Sequence, residues 1–118
     1  MTERRHFTRH RVCFPIQVDA DAKPNRIAMC RNSSVSGMLL ATPSRFAPGD
    51  RLRLAFRITH EQSDPQVIDG VVVRVIEDNR PDAGWWRRLV AVRFEQIVET
   101  IEPLLSSEEP KQAVLYGM

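Results

Sequence analysis

The chain has 118 residues, enough for one domain with a single core and too few for two. Hydrophobic residues make up 42% of the sequence and charged residues 27%, as in an ordinary folded domain, and the formal net charge is only +2. No apolar run approaches the roughly 20 residues of a membrane span, and the arginine-rich start lacks the apolar segment of a signal peptide. We therefore expect a cytoplasmic protein in which Cys13 and Cys30 are reduced.

Residues 1–11 are predicted to form a flexible, arginine-rich arm. Residues 3–11 hold four arginines and one carboxylate, which gives this segment a net charge of +3. The guanidinium group is a planar fork that binds a phosphate or a guanine edge with two hydrogen bonds. The arm has no apolar periodicity and its charges repel one another, so nothing repays the entropy of fixing it. A merely solvated tail is the alternative, since the whole chain prefers arginine to lysine.

Six segments have the alternating or continuous apolar pattern of β-strands, with turn residues between them. They cover residues 12–19, 26–31, 38–42, 51–58, 67–77 and 88–95. Short strands separated by turns at this spacing are typical of an all-β closed barrel or sandwich. Pro15 places the first strand at an edge or at a position whose N–H side faces no neighbour, and Gly70 indicates a bulge or bend. The polar residues 32–37 are predicted to form an exposed tight loop.

A short helix is predicted at the end of the barrel. Apolar residues fall at helical spacing between residues 97 and 105, and Pro103 is expected to limit or bend the helix. The folded domain is then residues 12–105, followed by a frayed tail over residues 106–118.

Catalytic and metal-binding patterns are weak. His6 and His10 stand four residues apart and Cys13 follows, but no further cluster completes a four-ligand zinc site. The sequence contains no phosphate-binding glycine loop and no nucleophile elbow. We therefore predict no enzyme activity, no metal and no cofactor.

Two short motifs carry a resemblance to a known family. Arg5 and Arg9 form R-x-x-x-R before the first strand, and Asn32, Ser34 and Gly37 form N-x-S-x-x-G between two strands. Together with a six-stranded barrel and a terminal helix, these motifs resemble the PilZ domain family, whose members are receptors for the second messenger cyclic di-GMP. The resemblance covers about residues 3–105.

The resemblance implies a role for each motif residue. Arg5 and Arg9 are expected on the phosphates and guanine edges of the ligand, with Arg4 as a supporting contact. The other three residues form the loop half of the site: Asn32 and Ser34 hydrogen-bond a guanine or a phosphate, and Gly37 lets backbone and ligand approach closely. Asn32 stands where many members have aspartate, which weakens the acceptor.

One further contact is predicted outside the two motifs. Related domains often place a side chain of the fifth strand on a guanine, and here Arg74 is the candidate through a cation–π contact. The alternative is an ordinary exposed strand arginine.

The main hypothesis is a non-enzymatic cyclic di-GMP receptor whose arm becomes ordered on binding and thereby changes the surface offered to an unidentified partner protein. Two alternatives stay open. One is a protein-interaction adaptor with the same fold that does not bind the nucleotide. The other is a barrel that binds RNA or single strands, which needs aromatic residues along its strand faces. Because the aromatic residues are few, we expect no nucleic-acid polymer as partner.

Overall fold

A computed structural model describes residues 7–58, 64–82 and 84–116, with side chains up to residue 113. Within these ranges the chain forms six strands and one helix, preceded by a single 3-10 turn over Glu99–Ile101. The strands are β1 (Pro15–Ala20), β2 (Lys23–Ser33), β3 (Gly37–Thr42), β4 (Arg51–Phe56), β5 (Gln66–Glu77) and β6 (Arg88–Phe94), and the helix is α1 (Glu102–Tyr116). All six predicted strands are confirmed, with ends that differ by a few residues.

The strands form a closed antiparallel barrel in the order β1-β2-β3-β6-β5-β4. Closure comes from β1, which pairs with β2 on one side and with β4 on the other. Pro15 is the first residue of β1 and pairs only with Met29 of β2, whereas the pairing with β4 starts at Ile16. The missing N–H of Pro15 therefore interrupts no ladder, and the barrel has no edge strand.

Alternating side chains of the strands fill the barrel. Phe14 and Phe56 stack in the interior with ring centroids 5.1 Å apart. Ile101 and Leu105 are fully buried and join the same core from the C-terminal segment. The predicted period of two thus separates a packed interior from an outer face.

Two irregularities bend the sheet near the residues of interest. The register shifts between Cys30 and Asn32 in β2 and between Val72 and Arg74 in β5. Gly70 itself stays in register, and a Cβ there would come within 2.6 Å of Val92 Cγ1, so this glycine permits close packing of β6. The predicted bulge in β5 is therefore present, but it lies after Gly70.

The C-terminal helix is longer than the sequence pattern indicates. Helix α1 continues over residues 106–116, where we expected a frayed tail. Pro103 lies in the first turn, where its missing N–H costs little, and Pro110 lies inside the helix. Among the described residues, no helix is long and apolar enough to span a bilayer.

Candidate functional site

The loop between β2 and β3 is closed by its own hydrogen bonds. The backbone N–H of Ser34 donates to Gly37 O at 2.9 Å, and the hydroxyls of Ser34 and Ser36 lie 2.9 Å apart. Ser34 Oγ also accepts from the N–H of Ser36 at 3.1 Å, and Ser33 Oγ donates to Gly37 O at 3.2 Å. Ser33, Ser34 and Gly37 are buried, so the prediction of an exposed loop was wrong. The serines were read as surface residues, but their hydroxyls satisfy backbone groups inside the fold.

The same loop is fastened to the end of β6 and to the turn that follows. The N–H of Phe94 donates to Ser36 O at 2.9 Å, and the N–H of Val98 donates to Val35 O at 2.8 Å. Val35 is itself buried in the core. The loop is therefore a fixed part of the barrel, held from the segment that leads into α1.

Gly37 has a packing reason for lacking a side chain. A Cβ at this position would lie 2.5 Å from Val92 O of the neighbouring strand, which is closer than real Cβ atoms come. The sequence prediction gave Gly37 the role of admitting a ligand. The structure gives this glycine a different partner, the backbone of β6.

The described part of the arm lies against this loop. His10 and Ser33 form a two-way backbone bridge, with N–O distances of 2.8 and 3.0 Å. The bridge places the guanidinium of Arg9 at Gly37, where Nη1 donates to the carbonyl oxygen at 3.5 Å, while the side chain stays exposed. Phe7 packs against the core. Residues 7–11, predicted as part of the flexible arm, thus have defined contacts, whereas Arg4 and Arg5 lie outside the described residues.

The side-chain oxygen of Asn32, Oδ1, is a buried acceptor with no partner in the part of the chain that the structure describes. A buried polar atom without a partner is rare and costs the folded protein free energy. Among the described motif residues, Asn32 is therefore the one whose side-chain oxygen has no hydrogen bond within the fold.

The strand register continues from Asn32 across the outer face of the barrel. Asn32 pairs with Leu39, Leu39 with Ala91, and Ala91 with Arg74. Residues directly opposite each other share a face, so Arg74 points outward in the same row. Arg74 is exposed and lies three strand spacings from Asn32, or about 14 Å.

Comparisons with known proteins agree with this geometry. The family model of the PilZ domain matches residues 3–106. The chain belongs to the PilZ family. A search of curated proteins gave no match.

Two solved structures share the fold. One is the PilZ domain of YcgR from Escherichia coli with cyclic di-GMP, at a TM-score of 0.72 and 17% identity over 98% of each chain. The other is the inhibitor of motility MotI/DgrA from Bacillus subtilis, at a TM-score of 0.69 and 18% identity. That match covers 99% of this chain but only 55% of the Bacillus protein, so the PilZ chain described here spans about half of that relative.

A cluster that no sequence motif indicated joins the arm of this PilZ domain to α1. The His10 ring lies between two carboxylates of the helix, 2.8 Å from Glu102 Oε1 through Nε2 and 3.0 Å from Glu109 Oε1 through Nδ1. Glu109 Oε2 also accepts from the N–H of Arg11 at 2.6 Å. Two glutamates seven residues apart lie on one face of a helix, and this spacing was the available signal.

A second polar contact extends the same junction. Gln112 accepts from the N–H of Cys13 and donates through Nε2 to Cys13 O at 2.9 Å. Gln112 is 4% exposed, so both bonds are shielded from water. The helix thus holds residues 10–13 by polar contacts in addition to the burial of Leu105 in the same core as Val12.

Neither cysteines nor histidines form a metal site in the part of the chain that the structure describes, where no group of three suitable ligands occurs. Cys13 and Cys30 are free thiols. Cys30 is buried in the core, and this burial raises the pKa of its thiol. His6, the partner considered for His10 in the sequence, lies outside the described residues.

Proposed function

We propose that this PilZ domain is a receptor for cyclic di-GMP. The observation that carries the proposal is the meeting of the two motifs: Arg9 contacts the loop at Gly37, and Asn32, at the end of β2 before the same loop, has a side-chain oxygen without a donor among the described residues. Cyclic di-GMP has two phosphate charges and two guanines that can bind Arg9 and Asn32. Guanine offers O6 and N7 to arginine and N–H groups to an amide oxygen.

The motif residues have different roles in this proposal. Arg9, together with Arg4 and Arg5, binds phosphates and guanine edges, and Asn32 Oδ1 accepts from a guanine N–H. Ser34 and Gly37 act indirectly, because the hydroxyl of Ser34 is engaged by Ser36 and Gly37 is needed by β6. They keep the loop in the shape that presents Asn32.

Arg74 is proposed as a guanine contact at the far side of the site. It is exposed in the row that begins at Asn32. The separation of about 14 Å is within the combined reach of a cyclic dinucleotide and an extended arginine side chain. A guanidinium plane stacks well on a purine ring.

In our proposal, ligand binding orders the N-terminal arm, and this ordering is the switch. Fixing residues 2–6 costs roughly 5–10 kcal/mol at about 1–2 kcal/mol each. Two charge-assisted hydrogen bonds from each of Arg4 and Arg5, at about 1.5–3 kcal/mol apiece, offset this cost only when phosphates are present. The ordered arm then changes the surface that a partner protein meets.

Binding to RNA or single strands has less support. Such barrels stack bases on aromatic side chains along the strand faces. Among the described residues, the exposed aromatic side chains are Trp85 and Trp86, and both lie between β5 and β6 instead of on a strand.

Isothermal titration with cyclic di-GMP tests the proposal. We expect binding by the wild-type protein and a loss of about tenfold or more in Arg9→Ala, because charge-assisted bonds are removed. Arg74→Ala is expected to weaken binding less. Arg26→Ala is the control, since Arg26 is exposed on β2 away from the loop.

The competing functions give different results in the same experiment. An adaptor that does not bind nucleotide gives no heat with cyclic di-GMP, and a single-strand-binding barrel gives heat with a short oligonucleotide. Equal affinity in the Arg9 and Arg26 variants removes the arm from the site.

A further inference from the structure

We propose that His10 is a positioning residue of the nucleotide site: its ring, clamped between Glu102 and Glu109, holds Arg9 at the loop and makes nucleotide affinity depend on ring protonation. This inference rests on the proposed receptor function. It adds a residue outside both motifs and gives α1 a part in binding.

The geometry of the clamp selects the charged form of the ring. Both ring nitrogens of His10 face carboxylate oxygens, at 2.8 and 3.0 Å. A neutral imidazole has one N–H and satisfies only one of these acceptors, whereas the imidazolium donates to both. The His10 side chain is 7% exposed, but the side chains of Glu102 and Glu109 are 41% and 35% exposed, so water reaches the carboxylate that loses its donor and limits the cost of deprotonating the ring.

Charges of both signs surround the ring, and the two carboxylates are the ones in direct contact with it. Glu102 and Glu109 face it from α1, its chain neighbours Arg9 and Arg11 flank it, and β2 contributes only the backbone of Ser33. Burial by itself lowers the pKa of His10, but the hydrogen bonds and charges of the two glutamates together outweigh it, so the pKa is raised above 6.5. The pKa of Glu109 is lowered below 4.5, first by the N–H of Arg11 and then by His10.

These directions set the pH window of the clamp. Since the pKa of His10 is raised in the folded state, its contribution is complete below 6.5 and is lost as the pH rises through the folded pKa. Since the pKa of Glu109 is lowered, its contribution is present above 4.5 and is lost as the pH falls through its folded pKa. A rise of pH through the folded pKa of His10 therefore weakens the clamp without changing the charge of the ligand's phosphodiesters.

Arg9 directly precedes His10 in the chain. This adjacency links the clamp to the site. The ring of His10 is fixed by the helix and its backbone by Ser33. With the ring neutral, one carboxylate loses its donor and the segment is held less tightly, so Arg9 spends less time at Gly37. The loop also binds the segment before α1, because the N–H of Val98 donates a hydrogen bond to Val35 O.

Two titrations of the full chain test the inference over about pH 5.5 to 8.5. Proton NMR follows the ring of His10, and calorimetry follows the affinity for cyclic di-GMP. We expect the affinity to fall about fivefold or more as the ring loses its proton, with the same midpoint in both titrations and above 6.5.

A variant series separates the clamp from other effects. Glu102→Gln keeps the shape of the side chain but removes one charge, so both midpoints are expected to move to lower pH together. Glu99→Gln is the matched control, because Glu99 is exposed three residues earlier, and neither midpoint should move. His6→Gln and His60→Gln assign the profile to His10 by leaving it unchanged.

Midpoints that coincide and move together support the positioning role, which a purely structural histidine does not produce. Affinity that stays constant while the ring titrates, or a ring midpoint at or below 6.5, overturns the positioning role and leaves the receptor function intact. Absence of binding by the wild-type protein at every pH overturns the receptor function and the positioning role with it.

Discussion

At the scale of single residues, the loop motif has two kinds of members. Gly37 is required by the carbonyl of Val92, and Ser34 is required by the turn through Ser36. The packing of the barrel therefore explains both residues without a ligand. Asn32 differs, because its buried Oδ1 has no donor among the described residues and adds a cost to the free protein. A ligand that donates to this atom, once the side chain turns toward it, removes that cost.

Asn32→Asp tests this reading of the loop. A carboxylate without a donor costs more than an amide, so we expect the free protein to lose about 1–3 kcal/mol of stability. Guanine N–H groups bind a carboxylate more strongly than an amide oxygen, so affinity should rise about fivefold or more. Urea unfolding and calorimetry measure the two effects. Asn79→Asp, at an exposed position, is the control, and if both variants behave alike, Asn32 does not face the ligand.

At the scale of elements, α1 is stabilised by polar contacts that apolar periodicity does not predict. The apolar pattern ends at Leu105, which is why a frayed tail was predicted from residue 106 on. The helix continues because its next turns bind polar groups of the chain before β1, through Glu109 and Gln112. These contacts join residues about a hundred positions apart in the sequence, and no local pattern records them.

Gln112→Ala measures what this junction contributes. The substitution leaves the N–H and C=O of Cys13 without their partner in a shielded position, so we expect a loss of about 1–3 kcal/mol. In urea unfolding the midpoint should fall while the slope stays the same. Lys111→Ala, at an exposed position of the same helix, should change little. Equal stability of the two variants means that the bonds between Gln112 and Cys13 contribute nothing measurable to stability.

At the scale of the whole molecule, the six strands were predictable because apolar and polar residues alternate in the sequence of a half-buried strand. The residues alone left barrel and sandwich open, since closure depends on the pairing of β1 with β4, which are separated by more than 30 residues. The resemblance assigns Arg9 and Asn32 to the binding site, and that assignment stays a prediction. Their surroundings were not predictable, because the burial of the loop and the clamp at His10 come from non-local contacts.

At the same scale, amide exchange tests whether residues 2–6 behave differently from residues 7–11. His10 and Ser33 bind each other's backbone, so their amides should exchange slowly with or without ligand. Residues 2–6 carry mutually repelling arginines and no apolar pattern, so we expect fast exchange in the free protein. Saturating cyclic di-GMP should slow their exchange about tenfold or more, because its phosphates neutralise that repulsion, while the buried Leu54 serves as an unchanged reference. Protection of residues 2–6 before ligand is added, or fast exchange at saturation, contradicts the switch even where calorimetry finds binding.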